Sequence, residues 1–317
     1  MKAFALDELG APGSIHELPD PEPGEGQVLV SVGAAAINPF DAAVVAGYMK
    51  DRIPHLFPLI PASDLAGTVT AIGPGAEGYA VGDRVFGSKG KAAIGNGALA
   101  ELTAATTATL TTIPDGVSDA QAAALSLAGV SALQCVETVE AGSGDVVVVM
   151  GASGGIGGYA VQLAAARGAH VIGVTSTANV DYVRGLGAAE VVDREAGPVL
   201  DQLKAAHPDG VAAIIDTASD KEALTELATA VREGGRVISM RGAADVDALA
   251  ARGITGTNAQ TQLSTEKLDE LKAMLVDGTL RSPDITEYPL DKAGDALAAI
   301  AGGHPRGKLV VVVGAAK

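Results

Sequence analysis

Residues 146–164 read VVVVMGASGGIGGYAVQLA. A continuous Val/Met run with no polar alternation predicts a strand covered on both faces, and YAVQLA continues as a helix. Between them Gly151, Gly154 and Gly157 recur at three-residue spacing. The first glycine permits a positive φ at the turn, the second lets backbone N–H groups approach a pyrophosphate, and the third lets the helix pack closely on the strand. Ser153, Gly155 and Ile156 complete a turn whose helix N-terminus offers unpaired N–H groups and the positive end of a dipole to phosphate. Set between a buried strand and a helix, this pattern favours dinucleotide binding over a glycine turn that only aids packing.

The rhythm continues downstream. HVIGVTS precedes NVDYVRGLGA, AEVVD precedes PVLDQLKAAH, VAAIIDT precedes EALTELATAVREGG, and RVISM follows. Alternating strands and helices of this kind predict a doubly wound parallel sheet. Met240 and Arg241, after the fifth strand, are expected to border the nicotinamide half of a dinucleotide. Upstream, QVLVSVGAAAINPFD, LAGTVTAIGPG and GYAVGDRVFGSKG are short β-rich runs punctuated by Gly and Pro, which predicts an antiparallel region. The texture changes near Ala120, where SDAQAAALSLAGVSALQCVETV reads as a helix after a Ser118 cap. A helix STEKLDELKAMLVDG, a strand DITEYPL, a helix DKAGDALAAIAGG and a strand KLVVVV close the chain off that rhythm, as expected of a return to the first domain.

The end of the second strand should report the cofactor. An NAD site usually places Asp or Glu there for the ribose hydroxyls, whereas this chain has Val174, Thr175, Ser176 and Thr177, which favours NADPH. Arg194, after the third strand, is a candidate for the positive charge on a 2'-phosphate, with a solvated surface arginine as the equal alternative.

Composition excludes several classes. The chain has 317 residues, 22 Lys+Arg against 38 Asp+Glu, and a net charge of -16, so nucleic acid and anionic membrane surfaces are disfavoured partners. One cysteine, Cys135, allows neither an internal disulfide nor a thiolate metal cluster, and its apolar surroundings predict an inert buried thiol. No stretch of about 18 apolar residues suggests a membrane span, and the N-terminus does not read as a secretion signal, so a cytoplasmic protein is expected. His16, His55, His170, His207 and His304 look scattered, without metal-ligand spacing. Lys89 and Lys91 read as part of a solvated loop.

The ordered set AAINPFDAAVVAGY, FPLIPASDLAGTVTAIGPGAEGYAVGDRVFG, GALAELTAATTATLTTIPDGVSDAQAAALSLAGVSALQ, the glycine turn and HPRGKLVVVV resembles the medium-chain dehydrogenase/reductase superfamily, in its zinc-independent quinone oxidoreductase branch. The resemblance implies an α/β protein with a GroES-like β-rich catalytic domain (1–121), a Rossmann doubly wound parallel-sheet domain binding NADPH (122–261) and a C-terminal segment (262–317) returning to the first. It implies hydride transfer in a cleft, and a homodimer or homotetramer. It places Asn38 and Ser131 near the nicotinamide and makes Tyr48 and Ser63 pocket candidates. Asp41 and Asp64 lie in family-like motifs, with capping or pairing to a buried arginine preferred to general-base work.

Where zinc-dependent relatives carry a cysteine and a Gly-His-Glu, this chain has Asn38 and Ala62-Ser63-Asp64, a poor ligand set. No metal site is expected. Without a metal, the chemistry implied is hydride transfer to a small-molecule quinone or the C=C bond of an α,β-unsaturated carbonyl, acceptors that delocalise the charge themselves. Ala43 stands where many relatives have a tyrosine, which implies a roomier pocket, and Ala178 where many have a basic residue. The alternatives are an enoyl-thioester reductase of a biosynthetic pathway and a catalytically idle NADPH-binding protein.

Overall fold

A computed structural model describes residues 1–90, 94–303 and 305–314. Lys91 and His304 lie outside the described residues. The chain forms two compact units, one of residues 1–127, 263–276 and 282–317, the other of residues 128–262 and 277–281. The division falls within the continuous helix Asp119–Thr138, six residues beyond the boundary expected at 121, and residues 277–281 go with the second unit. A composition change marks where a helix begins, here at the reciprocal Ser118–Gln121 cap, not where its packing changes partner.

The first unit is built on strand Gln27–Ile37, whose alternate valines Val28, Val30 and Val32 are buried. It pairs antiparallel with Asp64–Ile72, with Leu102–Thr106 and, from the other end of the chain, with Lys308–Val312. Two registers matter for the site. Ala36 faces Asp64, and Leu309 faces Ile37, so Asp64 and Lys308 both arrive beside Asn38. Helix Pro39–Val45 starts directly after the strand, with proline at its first turn and Asn38 as its cap.

The second unit holds a six-stranded parallel sheet. From one edge its strands run Glu190–Asp193, His170–Thr175, Val146–Met150, Val211–Asp216, Val231–Ser239 and Thr255–Asn258. Val147, Val148 and Val149 are wholly buried, and each contributes about 1.5–3 kcal/mol relative to an exposed valine. The chain leaves the central strand in one direction and later returns on its other side, so the order reverses between Val146–Met150 and Val211–Asp216, the place where such sheets bind ligands at their strand C-termini.

Two sequence readings change here. The helix expected through EALTELATAVREGG ends early, as Lys221–Leu227 and a 3-10 turn Ala228–Ala230, and the strand begins at Val231. Gly234 at φ +75 and a register shift opposite Val211–Ala213 let that strand start irregularly. His170 and His207, read as scattered, both reach the Glu190 carboxylate, because parallel pairing and one crossover helix bring distant positions to the same sheet edge.

Candidate active site

The dinucleotide half lies at the C-terminal edge of the parallel sheet. Gly151 turns the chain at φ +73, and a Cβ on Gly157 would run into the Gly151 carbonyl, so strand and helix meet backbone to backbone. Helix Gly155–Ala166 has no side-chain cap at Gly154, and its first-turn amides, those of Gly155, Ile156 and Gly157, lack intrahelical acceptors by helix geometry. A Cβ on Gly154 would find only the Gly151 carbonyl, at 3.4 Å, which leaves a shallow cradle over those amides. At the neighbouring strand end Thr175 is buried and its hydroxyl has no hydrogen-bond partner in the protein. An open cradle, donor amides and an orphaned hydroxyl along one edge fit a dinucleotide, whose pyrophosphate the turn would hold.

The loop after Thr175 is more acidic than its own sequence suggests. Thr177 donates from its hydroxyl to Asp193 Oδ2 at 2.6 Å and from its backbone N–H to Glu195 Oε2 at 3.1 Å, and the Thr177 hydrogen bond holds Asp193 below the ordinary carboxylate pKa. Ser176 Oγ accepts from Asn179 Nδ2, and Arg194, between the two acids, is exposed. Asp193 ends the third strand and Glu195 follows it, so a search for an acid at the second strand's own end misses them.

Asp216 was missed too. Wholly buried at the end of its strand, it accepts from the amides of Ala218 and Ser219 and from the Ser239 hydroxyl, tying together two loops of the cofactor edge. Ser239 Oγ in turn accepts from the Arg241 amide, Met240 N–H donates to the Asp216 carbonyl, and Arg241 Nε donates to the Ser219 carbonyl at 3.2 Å. The Asp at the end of VAAIID, a lone acid closing a buried strand, was the available signal. Ser131 is wholly buried, with its Oγ 2.6 Å from Thr261 Oγ1. Burial pushes the Cys135 thiol up to about 12 and keeps it inert.

In the first unit, Asn38 sits at the centre of a buried polar cluster. Its Nδ2 donates to Asp64 Oδ2 at 2.8 Å, its Oδ1 accepts from Lys308 Nζ at 2.7 Å, and its backbone N–H donates to Asp41 Oδ2 at 2.8 Å. An ammonium group can only donate, so Lys308 fixes which end of the amide is oxygen. Asp41, Asp64 and Lys308 are each at most 5% exposed. Burial raises Asp41 to about 7 and Asp64 to about 6, against the Lys308 charge, and burial lowers Lys308. Of the two expected roles, Asp41 takes the capping one by accepting the Asn38 backbone N–H, and the positive charge near the acids is that of Lys308, which bonds the Asn38 amide and the Ile37 carbonyl. Ser63, half-buried, lies next to this cluster in the chain, and Tyr48, 76% exposed, lies in the turn after the helix and is not drawn into it.

Family models match both halves of the chain: an alcohol dehydrogenase GroES-like domain over residues 24–115 and a zinc-binding dehydrogenase over 186–311. A chloroplast envelope quinone oxidoreductase homolog of Arabidopsis thaliana is 31% identical over 95% of this chain and 94% of its own length. The chain belongs to the medium-chain dehydrogenase/reductase superfamily, in its quinone oxidoreductase branch. It is an oxidoreductase with a GroES-like unit and a Rossmann-like unit, and it uses a nicotinamide cofactor. An NADPH-dependent alkenal/one oxidoreductase of Arabidopsis thaliana is 30% identical over 98% of this chain and 79% of its own. The solved quinone oxidoreductase of Coxiella burnetii superposes with TM-score 0.88 at 27% identity, covering 99% of each chain.

The name of the second family model raises a zinc ion. Asn38 and Ser63, at the positions where the resemblance puts zinc ligands, do not fit one, since an amide and a hydroxyl are poor ligands, the amide oxygen already accepts from Lys308, and the cluster contains a buried ammonium.

Proposed function

We propose that the protein is an NADPH-dependent, zinc-free oxidoreductase that delivers hydride to a quinone or to the C=C bond of an α,β-unsaturated carbonyl. The observation that carries this reading is the Lys308–Asn38–Asp64 cluster, an oriented neutral amide at the position where the family resemblance puts a zinc-ligating cysteine. A simple ketone would need its developing alkoxide stabilised by a strong electrophile, whereas a quinone or enone spreads the charge over its own conjugated system.

With its pyrophosphate at the glycine turn, the cofactor would supply the hydride from its nicotinamide. The first-turn amides of Gly155, Ile156 and Gly157 hold the pyrophosphate, while Thr175, Ser176 and Arg194 receive the adenosine end, Arg194 offsetting Asp193 and Glu195 at the 2'-phosphate. Both of those carboxylates are turned onto Thr177. The Asn38 amide keeps one N–H beyond the bond to Asp64, and that N–H is the proposed donor to the acceptor oxygen as negative charge builds there. Ser63, next to Asp64 in the chain, is a second candidate donor. One hydride and one proton complete the quinol or the saturated carbonyl, and we assign that proton to solvent.

The NADPH preference draws support from the hydroxyls at 175–177 and from similarity to a relative named for NADPH and for alkenals and enones. Turnover of an enone with NADPH carrying deuterium at the transferred position tests the reaction class. Deuterium at the carbon β to the carbonyl supports it. A carbinol product with deuterium on the carbonyl carbon overturns it.

A further inference from the structure

On the opposite edge of the same parallel sheet, where strands begin, three side chains from three elements converge. His170 opens its strand, Glu190 opens the neighbouring edge strand, and His207 caps the helix Val199–Ala206. His170 Nε2 lies 2.6 Å from Glu190 Oε1, His207 Nε2 lies 3.3 Å from Glu190 Oε2, and the two imidazole rings are 6.0 Å apart. One ligand atom from each of the three lies within 4.8 Å of the others. Among the described residues no other three such groups approach each other in this way.

We propose that His170, Glu190 and His207 form a binding site for a zinc-class dication, separate from the hydride-transfer site. Two imidazole nitrogens and a carboxylate oxygen are a donor set for Zn²⁺, with water as the fourth ligand, and are poorly matched to Mg²⁺ or Ca²⁺, which favour all-oxygen shells. Ligands around a tetrahedral zinc at ordinary bond lengths stand about 3.4 Å apart. To accept the ion the His170–Glu190 pair opens slightly and the two histidines close. The side chains that must move are the mobile ones, His170 at 43% and Glu190 at 39% exposure, while His207 at 17% is held in place as the fixed ligand. A net charge of -16 adds a general attraction for cations without choosing this place.

The ion would join the four-residue edge strand Glu190–Asp193 to its neighbour and to the crossover that feeds Val211–Asp216. It would act as a clamp on the sheet edge, with no part in hydride transfer.

The test is calorimetric titration of the full chain, stripped of metal, with ZnCl2 and with MgCl2, alongside His207→Gln and Glu190→Gln. Cobalt(II) serves as a spectroscopic substitute and thermal melting as a second readout. The proposal expects one tight Zn²⁺ equivalent in the wild type, d–d bands with Co²⁺, a rise in melting temperature of at least about 3 °C at 100 µM Zn²⁺, and no response to Mg²⁺. Each variant, folded and active, should lose all three responses. Absence of a stoichiometric equivalent at 100 µM overturns the proposal, as does equal Zn²⁺ binding by wild type and both variants.

Discussion

Lys308 Nζ donates to Asn38 Oδ1 across 2.7 Å, joining residues 270 positions apart in the chain. Because the same amide donates to Asp64 from its other end, the lysine orients the side chain proposed to meet the acceptor. It also carries the only charge that offsets Asp41 and Asp64 from within the cluster. Lys308→Met leaves two buried carboxylates without it, and a loss of about 3–5 kcal/mol is expected at pH 8. The loss shrinks at pH 5, where the carboxylates are protonated. Urea denaturation at the two pH values checks both statements.

The pH dependence of the cluster runs opposite to that of an ordinary ion-paired carboxylate. Asp41 and Asp64 are raised in the folded state to about 7 and about 6, so the native protein binds these protons more tightly than the unfolded chain. Their contribution is fully present below the unfolded carboxylate pKa and is lost as pH rises through about 6 to 7. Asp41→Asn removes one of these protons. Its stability relative to wild type should therefore improve by on the order of 1–3 kcal/mol between pH 5 and pH 8, measured by denaturation at each pH. No change in that difference would mean that Asp41 stays ionised throughout.

The glycine turn separates a packing effect from a binding effect. Gly157→Ala sets a methyl group against the Gly151 carbonyl and should cost about 1–3 kcal/mol of stability as well as cofactor affinity. Gly154→Ala meets nothing nearer than 3.4 Å and should fold normally, yet its methyl group fills the phosphate cradle. Cofactor affinity should fall at least about tenfold with an unchanged melting temperature. Fluorescence titration with NADPH beside a thermal melt distinguishes the two variants.

The proposed preference for NADPH turns on Arg194 and its acidic neighbours Asp193 and Glu195. Arg194→Ala is expected to reduce kcat/KM for NADPH about tenfold and leave NADH nearly unchanged, since only the 2'-phosphate differs. Glu195→Gln should shift the ratio the other way, towards NADPH. Parallel steady-state kinetics with the two cofactors read both effects.

The parts of this protein that were legible in its sequence are those encoded by neighbours in the chain. The glycine turn, the valine run before it and the Ser118 cap are local, and each appears where the pattern puts it. What escaped is set by pairing between distant strands. Nothing in GKLVVVV says that its lysine will stand beside Asn38; the register of Leu309 on Ile37 decides it. Asp193 and Glu195 reach the loop of a different strand because parallel neighbours end side by side. The histidines at 170 and 207 have no ligand spacing in sequence and meet through a strand pair and a crossover helix. Burial too is set by the fold and not by local sequence: Tyr48 is exposed and Ser131 buried, and neither could be read from its own neighbours.

The central claim is metal-free hydride transfer from NADPH to a conjugated acceptor. The most direct measurement follows NADPH absorbance with a quinone and an enone, using protein stripped by a chelator and verified to be metal-free. Undiminished turnover that added Zn²⁺ does not increase is expected. Turnover that disappears on stripping and returns with one equivalent of Zn²⁺ would contradict it.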